Sequence, residues 1–393
     1  MTKFILYENI SLALIFLILN NYLLLSLSSP LLLIKVNFII FLATVLIFYF
    51  KQFSENVYLK IFFLFLILIS LGTPAIEWDS RSIWLFHAKR IFYDESIFSV
   101  ADNYAAFSHN AYPSLTPAFA SSFAHLFGYW NEVFPKISFL FMFFPPLVLS
   151  NLYFKNNKYL LFLFIVFFVI GKYLFNGMSD GILAVYFSSS ALLMYFLFLT
   201  DNKFYQNKFS LLVITSLFFI SLTLIKNEGS VLVLILFFST IFMKFIKRQL
   251  AKDIFKIFFL SFSFLPIILW KVFCYSKGIG DDYINTNILI NLLPRIYELS
   301  NYKLIIYFLF LNEKFLICLA FCLLSFWNNW NKDLFIYLSI IVLFYAFALF
   351  IIYLSTPYDF YFQLDTSASR IIKTLTFLLA CVGLHNSSTH YLK

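Results

Sequence analysis

The stretch IFFLFLILISLGTPAIEWDSRSIWLFHAKR, Ile61 to Arg90, decides how this chain is read. Its first half is an unbroken apolar run. Its second half sets Asp79, Arg81, His87, Lys89 and Arg90 among Trp78 and Trp84. Hydrocarbon-length apolar sequence that ends in Trp, acids and bases marks a helix surfacing from a bilayer. Charges beside hydrocarbon are costly unless water, a partner or a substrate receives them, so the cluster is a candidate site. Interfacial anchoring by the Trp and basic residues is the plainer alternative.

Outward from this stretch the composition agrees. The 393 residues are 62% hydrophobic and only 12% charged, with 57 Phe and 25 Tyr; the mean hydropathy is +0.88. A soluble domain is roughly half apolar and a quarter charged, so the chain reads as an all-α integral membrane protein. The net charge of +9 is spread over short loops, which does not point to nucleic acid. Cys274, Cys318, Cys322 and Cys381 have no ligand spacing with His and read as packing thiols. The apolar run from Ile10 to Leu27 is too long for a signal-peptide core and reads as a first span.

Apolar runs recur at 9–29, 32–50, 58–75, 134–152, 159–175, 181–200, 209–225, 230–246, 256–274, 304–327, 334–354 and 371–387, which predicts about 12 crossings in a single polytopic domain, 1–393. Asn312, Glu313 and Lys314 interrupt the tenth, so 302–311 is alternatively an interfacial helix. Short Lys-rich connections, Lys51–Lys60, Lys155–Lys158, Lys203–Lys208 and Lys244–Lys256, predict a cytoplasmic N-terminus. The other connections then lie outside and carry most of the nineteen acids. The largest are 76–133, expected to contain interfacial helices, and 275–303.

Five polar knots fall on that outer face. Asp79 at a helix end suits a general base toward a hydroxyl, or a partner for Arg81 or Lys89. In HNAYPSLTP, Pro113 and Pro117 stiffen a turn that carries His109 and Tyr112 toward a pocket, although a lone loop His is more often structural. FNGMSDG places Asp180 where it either lines a cavity or complements a helix dipole. LIKNEGS packs Lys226, Asn227 and Glu228 into a tight turn, with self-neutralisation as the plain reading. LDTSASR sets Arg370 beside hydroxyls, suited to a phosphate or to snorkelling toward headgroups. P-loop, dinucleotide, zinc and GxSxG patterns are absent from the sequence. A substrate activated elsewhere and already resident in the membrane is therefore required.

The ordered set WDSRSIW, HNAYPSLTP, MSDG, IKNEG and LDTSASR, spread over nearly the whole chain, resembles the polytopic GT-C glycosyltransferases of bacterial membranes, the class of protein mannosyltransferases and aminoarabinose transferases. The resemblance implies transfer of a sugar from a polyprenyl-phosphate donor to a glycan, lipid or protein acceptor on the outer face of the inner membrane. It assigns Asp79 as catalytic base and Asp180 as a second acid lining the cavity. Lys226 and Arg370 fall to the donor phosphate, and Asn227, Glu228, His109 and Tyr112 to the sugar or acceptor pocket. Arg81, Trp84, His87 and Lys89 join them as substrate contacts around the first acid. No cofactor is implied; a divalent metal on Asp79 and Asp180 is conceivable without support. A polysaccharide polymerase or ligase would instead depend on an external Arg/His cluster. A lipid-linked saccharide transporter would carry charges at the bilayer midplane.

Overall fold

A backbone inside hydrocarbon has to satisfy its own N–H and C=O groups, so apolar runs of this length fold as helices. The computed structural model describes residues 2–52, 57–154, 158–200, 208–280 and 288–389. Among the described residues all regular structure is helical. Residues 53–56, 155–157 and 201–207, in the expected Lys-rich connections Lys51–Lys60, Lys155–Lys158 and Lys203–Lys208, and 281–287, in the expected second outer loop 275–303, lie outside them.

Helices α1 (Thr2–Ser26), α2 (Leu31–Gln52) and α3 (Val57–Gly72) lead into the first large loop, which holds α4 (Leu85–Asp94) and α5 (Leu115–Phe127). The chain continues through α6 (Val133–Phe141), α7 (Phe144–Tyr153), α8 (Lys158–Ile170), α9 (Asp180–Phe198), α10 (Lys208–Ile225) and α11 (Asn227–Ile246). It closes with α12 (Leu250–Ser261), α13 (Leu265–Ser276), α14 (Ile288–Ile296), α15 (Leu299–Phe310), α16 (Glu313–Asn328), α17 (Lys332–Ser355) and α18 (Phe360–Thr389).

Nine helical segments among the described residues are long and apolar enough to cross a membrane, counting α6 with α7 and α12 with α13 as one segment each. The expected span 304–327 is instead two helices, α15 and α16, bent by 73° where Asn312 caps α16 by accepting from the Lys314 and Phe315 N–H groups. Taken together they make a tenth. Two further expected spans correspond to shorter apolar helices, Ile61–Gly72 and Tyr159–Leu174. The architecture is that of a multi-pass membrane protein.

Every residue of α9 is buried, which makes it the central helix. It packs against α18, α10, α11 and α7. Outer helices turn large side chains away from the bundle, as with Leu32, Val36, Ile40 and Ile47 of α2, the arrangement expected where hydrocarbon replaces water. All four cysteines are buried, as their apolar surroundings suggest.

Residues 76–133 are largely helical, and α4 has a surface face, with Lys89, Tyr93 and Asp94 exposed opposite buried Leu85, His87 and Ile91. Helix α5, expected at an interface, is buried against α1, α2, α4 and α6. Its Ala118, Ala120, Ser121, Ser122 and Ala124 are small enough to let neighbouring backbones approach. At the Lys-rich end of α11 and α12 the charges pair locally: Lys244 and Lys256 lie 2.7 and 2.5 Å from Asp253, and Lys247 lies 2.6 Å from Asp333.

Candidate functional site

Asp79 opens a single π-helical turn, Ser80–Trp84, that continues into α4. Such turns insert one extra residue and recur at functional sites because they re-aim a side chain. The turn is braced from the opposite segment. Ser80 Oγ donates to the Asn176 carbonyl at 2.8 Å. Gly177 has a left-handed φ of +81°, and a Cβ there would lie 2.5 Å from Ser80 Oγ. The glycine of FNGMSDG is thus needed both for its backbone angle and for its closeness to the Asp79 turn.

Arg370, on α18, donates from Nη1 to Asp79 Oδ2 at 2.5 Å, both side chains about one-fifth exposed. The residues are 291 apart in sequence. Neither Arg81 nor Lys89 partners Asp79; both are exposed on the flanking turns. Arg370 also lies within electrostatic reach of Asp180 and Tyr173. Asp180, at the start of α9, accepts from Lys226 Nζ at 3.2 Å, and Lys226 Nζ is 2.9 Å from Glu228 Oε1. Lys226 therefore neutralises its own turn, but it equally reaches across to the neighbouring span.

Lys226 is the single extended residue linking α10 to α11, with φ −160° and ψ 154°. The link closes this tightly because position 229 is glycine: a Cβ there would sit 1.8 Å from the Leu222 carbonyl oxygen. Burial disfavours the Lys226 ammonium, yet Asp180 and Glu228 outweigh it and hold its pKa above the ordinary lysine range. The lysine stays charged. Among the described residues Asp180 Oδ2, Glu228 Oε2 and Arg370 Nε are buried without a hydrogen-bond partner, so the cluster has unused bonding capacity.

Beside the charges lie aromatic groups. Trp84 is fully buried, not an interfacial anchor, and its ring is 5.9 Å from that of Tyr112. Tyr112 lies close enough to Lys226 to affect its charge and stacks on His109 with ring centres 5.0 Å apart. His109 and Tyr112, with Asp102, Asn110 and Gly278 to Gly280, line a cavity of about 190 Å³. The HNAYP turn thus stands between the charged cluster and a small polar chamber.

His87 is not part of the charged cluster. It is buried, with Nε2 3.0 Å from Asn110 Oδ1, and burial lowers its pKa to about 4 despite that hydrogen bond. Neutral His87 pins Asn110, whose amide donates to the Asp102 and Tyr104 carbonyls, which shapes the chamber wall. Arg90 fixes the same loop by donating to Asp102 at 3.0 and 2.6 Å. Asn227 is the first residue of α11, adjacent to the cluster in sequence.

Sequence reasoning missed Tyr173, Lys373, Lys172 and Arg295. Tyr173 lies between Lys373, 4.8 Å from its ring centre, and Lys172, at 5.8 Å. Lys172 also pairs with Glu77 at 2.5 Å. The signals were present: Lys373 is one helical turn beyond Arg370, and Lys172–Tyr173 precede Asp180 in one short connection. Arg295 donates to the Thr356 and Tyr358 carbonyls and so ties down the segment before α18. A metal on Asp79 and Asp180 does not fit the donor set, because Arg370 faces both carboxylates. Among the described residues no group of three or more His, Cys, Asp and Glu is arranged to hold an ion.

No protein-family model matches the chain, and no characterised protein or solved structure shows significant similarity to it.

Proposed function

We propose that this protein is a GT-C-type membrane glycosyltransferase. It moves a sugar from a polyprenyl-phosphate donor to a glycan, lipid or protein hydroxyl on the outer face of a bacterial inner membrane. The observation that carries the reading is the convergence of Asp79, Asp180, Lys226, Glu228 and Arg370, from four separate parts of the sequence, into one partly buried charged cluster. The cluster sits where four connections meet, each assigned by loop charge to the outer side. In this reading the short helices Ile61–Gly72 and Tyr159–Leu174 also cross, the bent α15–α16 pair counts once, and the spans number twelve with the N-terminus inside.

The chemistry follows from the charges. The acceptor oxygen attacks the anomeric carbon while Asp79 takes its proton, and the bond from that carbon to the phosphate oxygen breaks. The phosphate leaves with the electron pair, stabilised by Arg370 and Lys226. One displacement without a covalent intermediate inverts the anomeric centre. Arg370 holds Asp79 before donor arrives. A donor phosphate that draws the guanidinium to itself releases the carboxylate for the acceptor, so donor binds first. Arg370 thereby keeps the base masked until the leaving group is in place.

The test is transfer by purified protein in liposomes containing a panel of polyprenyl-phosphate sugars. Arg370→Ala is expected to raise the donor KM by at least about tenfold, the effect of losing one charge-assisted contact. Unchanged donor dependence in that variant removes Arg370 from phosphate binding, and absence of transfer across a complete sugar panel rejects the activity.

A further inference from the structure

A second cationic site lies beside the cluster. A cavity of about 220 Å³ is lined by Val169, Glu313, Lys314, Ile372, Lys373 and Thr376 together with Asn312. It opens at the bend between α15 and α16, against α8 and α18. Lys314 Nζ donates to the Phe168 carbonyl at 2.8 Å and Lys373 Nζ to the Ser369 carbonyl at 3.0 Å. Among the described residues neither lysine forms an ion pair, in contrast to Lys244, Lys247 and Lys256 at the Lys-rich end. Two lysines facing one cavity repel each other, and Lys172 and Arg370 add to the positive field on Lys373. Asp180 opposes part of this field, and Glu313, also on the cavity lining, is exposed with Lys314 on the first turn of α16.

Helices α8 and α16, which border the cavity, also carry exposed apolar side chains. Phe164 and Phe167 of α8, and Leu316 and Ile317 of α16, are all exposed. A ligand in this cavity thus meets two ammonium groups between helices whose exposed side chains are apolar. That pairing matches an amphiphile with an anionic head. We infer that the cavity between α8, α16 and α18 binds the phosphate headgroup of a membrane lipid through Lys314 and Lys373. The site stands whether or not the protein transfers sugar. If it does, a headgroup held at Lys373 is one turn of α18 from Arg370 and the masked base.

Farnesyl phosphate is the probe, measured by equilibrium binding to the full chain in detergent micelles, with farnesol and inorganic phosphate as competitors. Wild-type protein is expected to bind farnesyl phosphate, with farnesol and phosphate each competing at least about a hundredfold less well. Lys314→Met and Lys373→Met are each expected to weaken binding about tenfold, and the double variant about a hundredfold. Lys373→Arg keeps the charge and is expected to bind within a few-fold of wild type; it serves if the methionine variants fail to elute as single species. Wild-type affinity in the double variant, or in Lys314→Met should the double variant not fold, overturns the assignment. Equal competition by farnesol shows a purely apolar groove, and equal competition by inorganic phosphate shows a free-anion site; either result rejects the lipid headgroup.

Discussion

Removing the Lys226 charge tests whether the cluster is one electrostatic unit. Lys226 and Asp180 are both almost fully buried and 3.2 Å apart, and Glu228 lies 2.9 Å from the same ammonium. In Lys226→Met the stem volume is kept, but two carboxylates lose their cation, and Asp180 has little water to turn to. Breaking a buried pair by removing one partner costs about 3–5 kcal/mol, mostly the desolvation of the stranded charge. Asp180→Asn alone leaves Lys226 with Glu228 and is expected to cost less, about 1–2 kcal/mol. The double variant should recover part of the loss, with a coupling energy of about 2 kcal/mol between the sites. Thermal unfolding of the four proteins in one detergent reads this directly. If the two substitutions add within about 0.5 kcal/mol, the residues are not coupled and the single-unit description fails.

Two further outcomes follow from local geometry. Gly177→Ala places a Cβ 2.5 Å from Ser80 Oγ at a left-handed φ of +81°; we expect about 1–2 kcal/mol of lost stability and a larger fall in transfer, because the Asp79 turn shifts. Transfer falling no more than stability would show that the turn does not aim Asp79. His87 gives a pH dependence: its folded pKa of about 4 lies below the ordinary 6.5, so the unfolded chain binds more protons between those values. Stability from neutral His87 is therefore complete above about pH 6.5 and lost as the pH falls toward 4, amounting to about 2 kcal/mol by pH 5. His87→Gln should flatten that slope in thermal unfolding between pH 8 and 5, and an equal slope in both proteins would assign the acid sensitivity elsewhere.

Helical membrane architecture was legible because hydrocarbon leaves the backbone few options, and because the interruption at Asn312–Lys314 announced the bend in the tenth run. Runs near Ile61 and Tyr159, read as full spans, fold as shorter apolar helices; hydropathy averages over a window and does not show where a helix stops. The proximity of Asp79 to Arg370 and of Asp180 to Lys226 was only implied by topology, since spacing along the chain carries no distance across a bundle. Local partners misled most. Arg81 and Lys89 are near Asp79 in sequence, yet the π-helical turn leaves them outside while a residue 291 positions away takes the carboxylate. Interfacial helices were expected in 76–133 and anchoring was the alternative for Trp84, but Trp84 is buried and α5 packs against α1 and α2, a tertiary fact that local sequence does not carry. Lys373 escaped notice as a lone lysine in its segment, and Lys314 was read only as part of the interruption of the tenth run.

The most direct measurement is the single-turnover rate of sugar transfer by Asp79→Asn, in liposomes loaded with the polyprenyl-phosphate sugar that the wild-type protein uses. The side chain is isosteric and keeps an oxygen for Arg370, but it does not take up the acceptor proton. A loss of at least about a hundredfold in rate, with thermal unfolding near wild type, is the expected result. A wild-type rate in that variant would contradict the account.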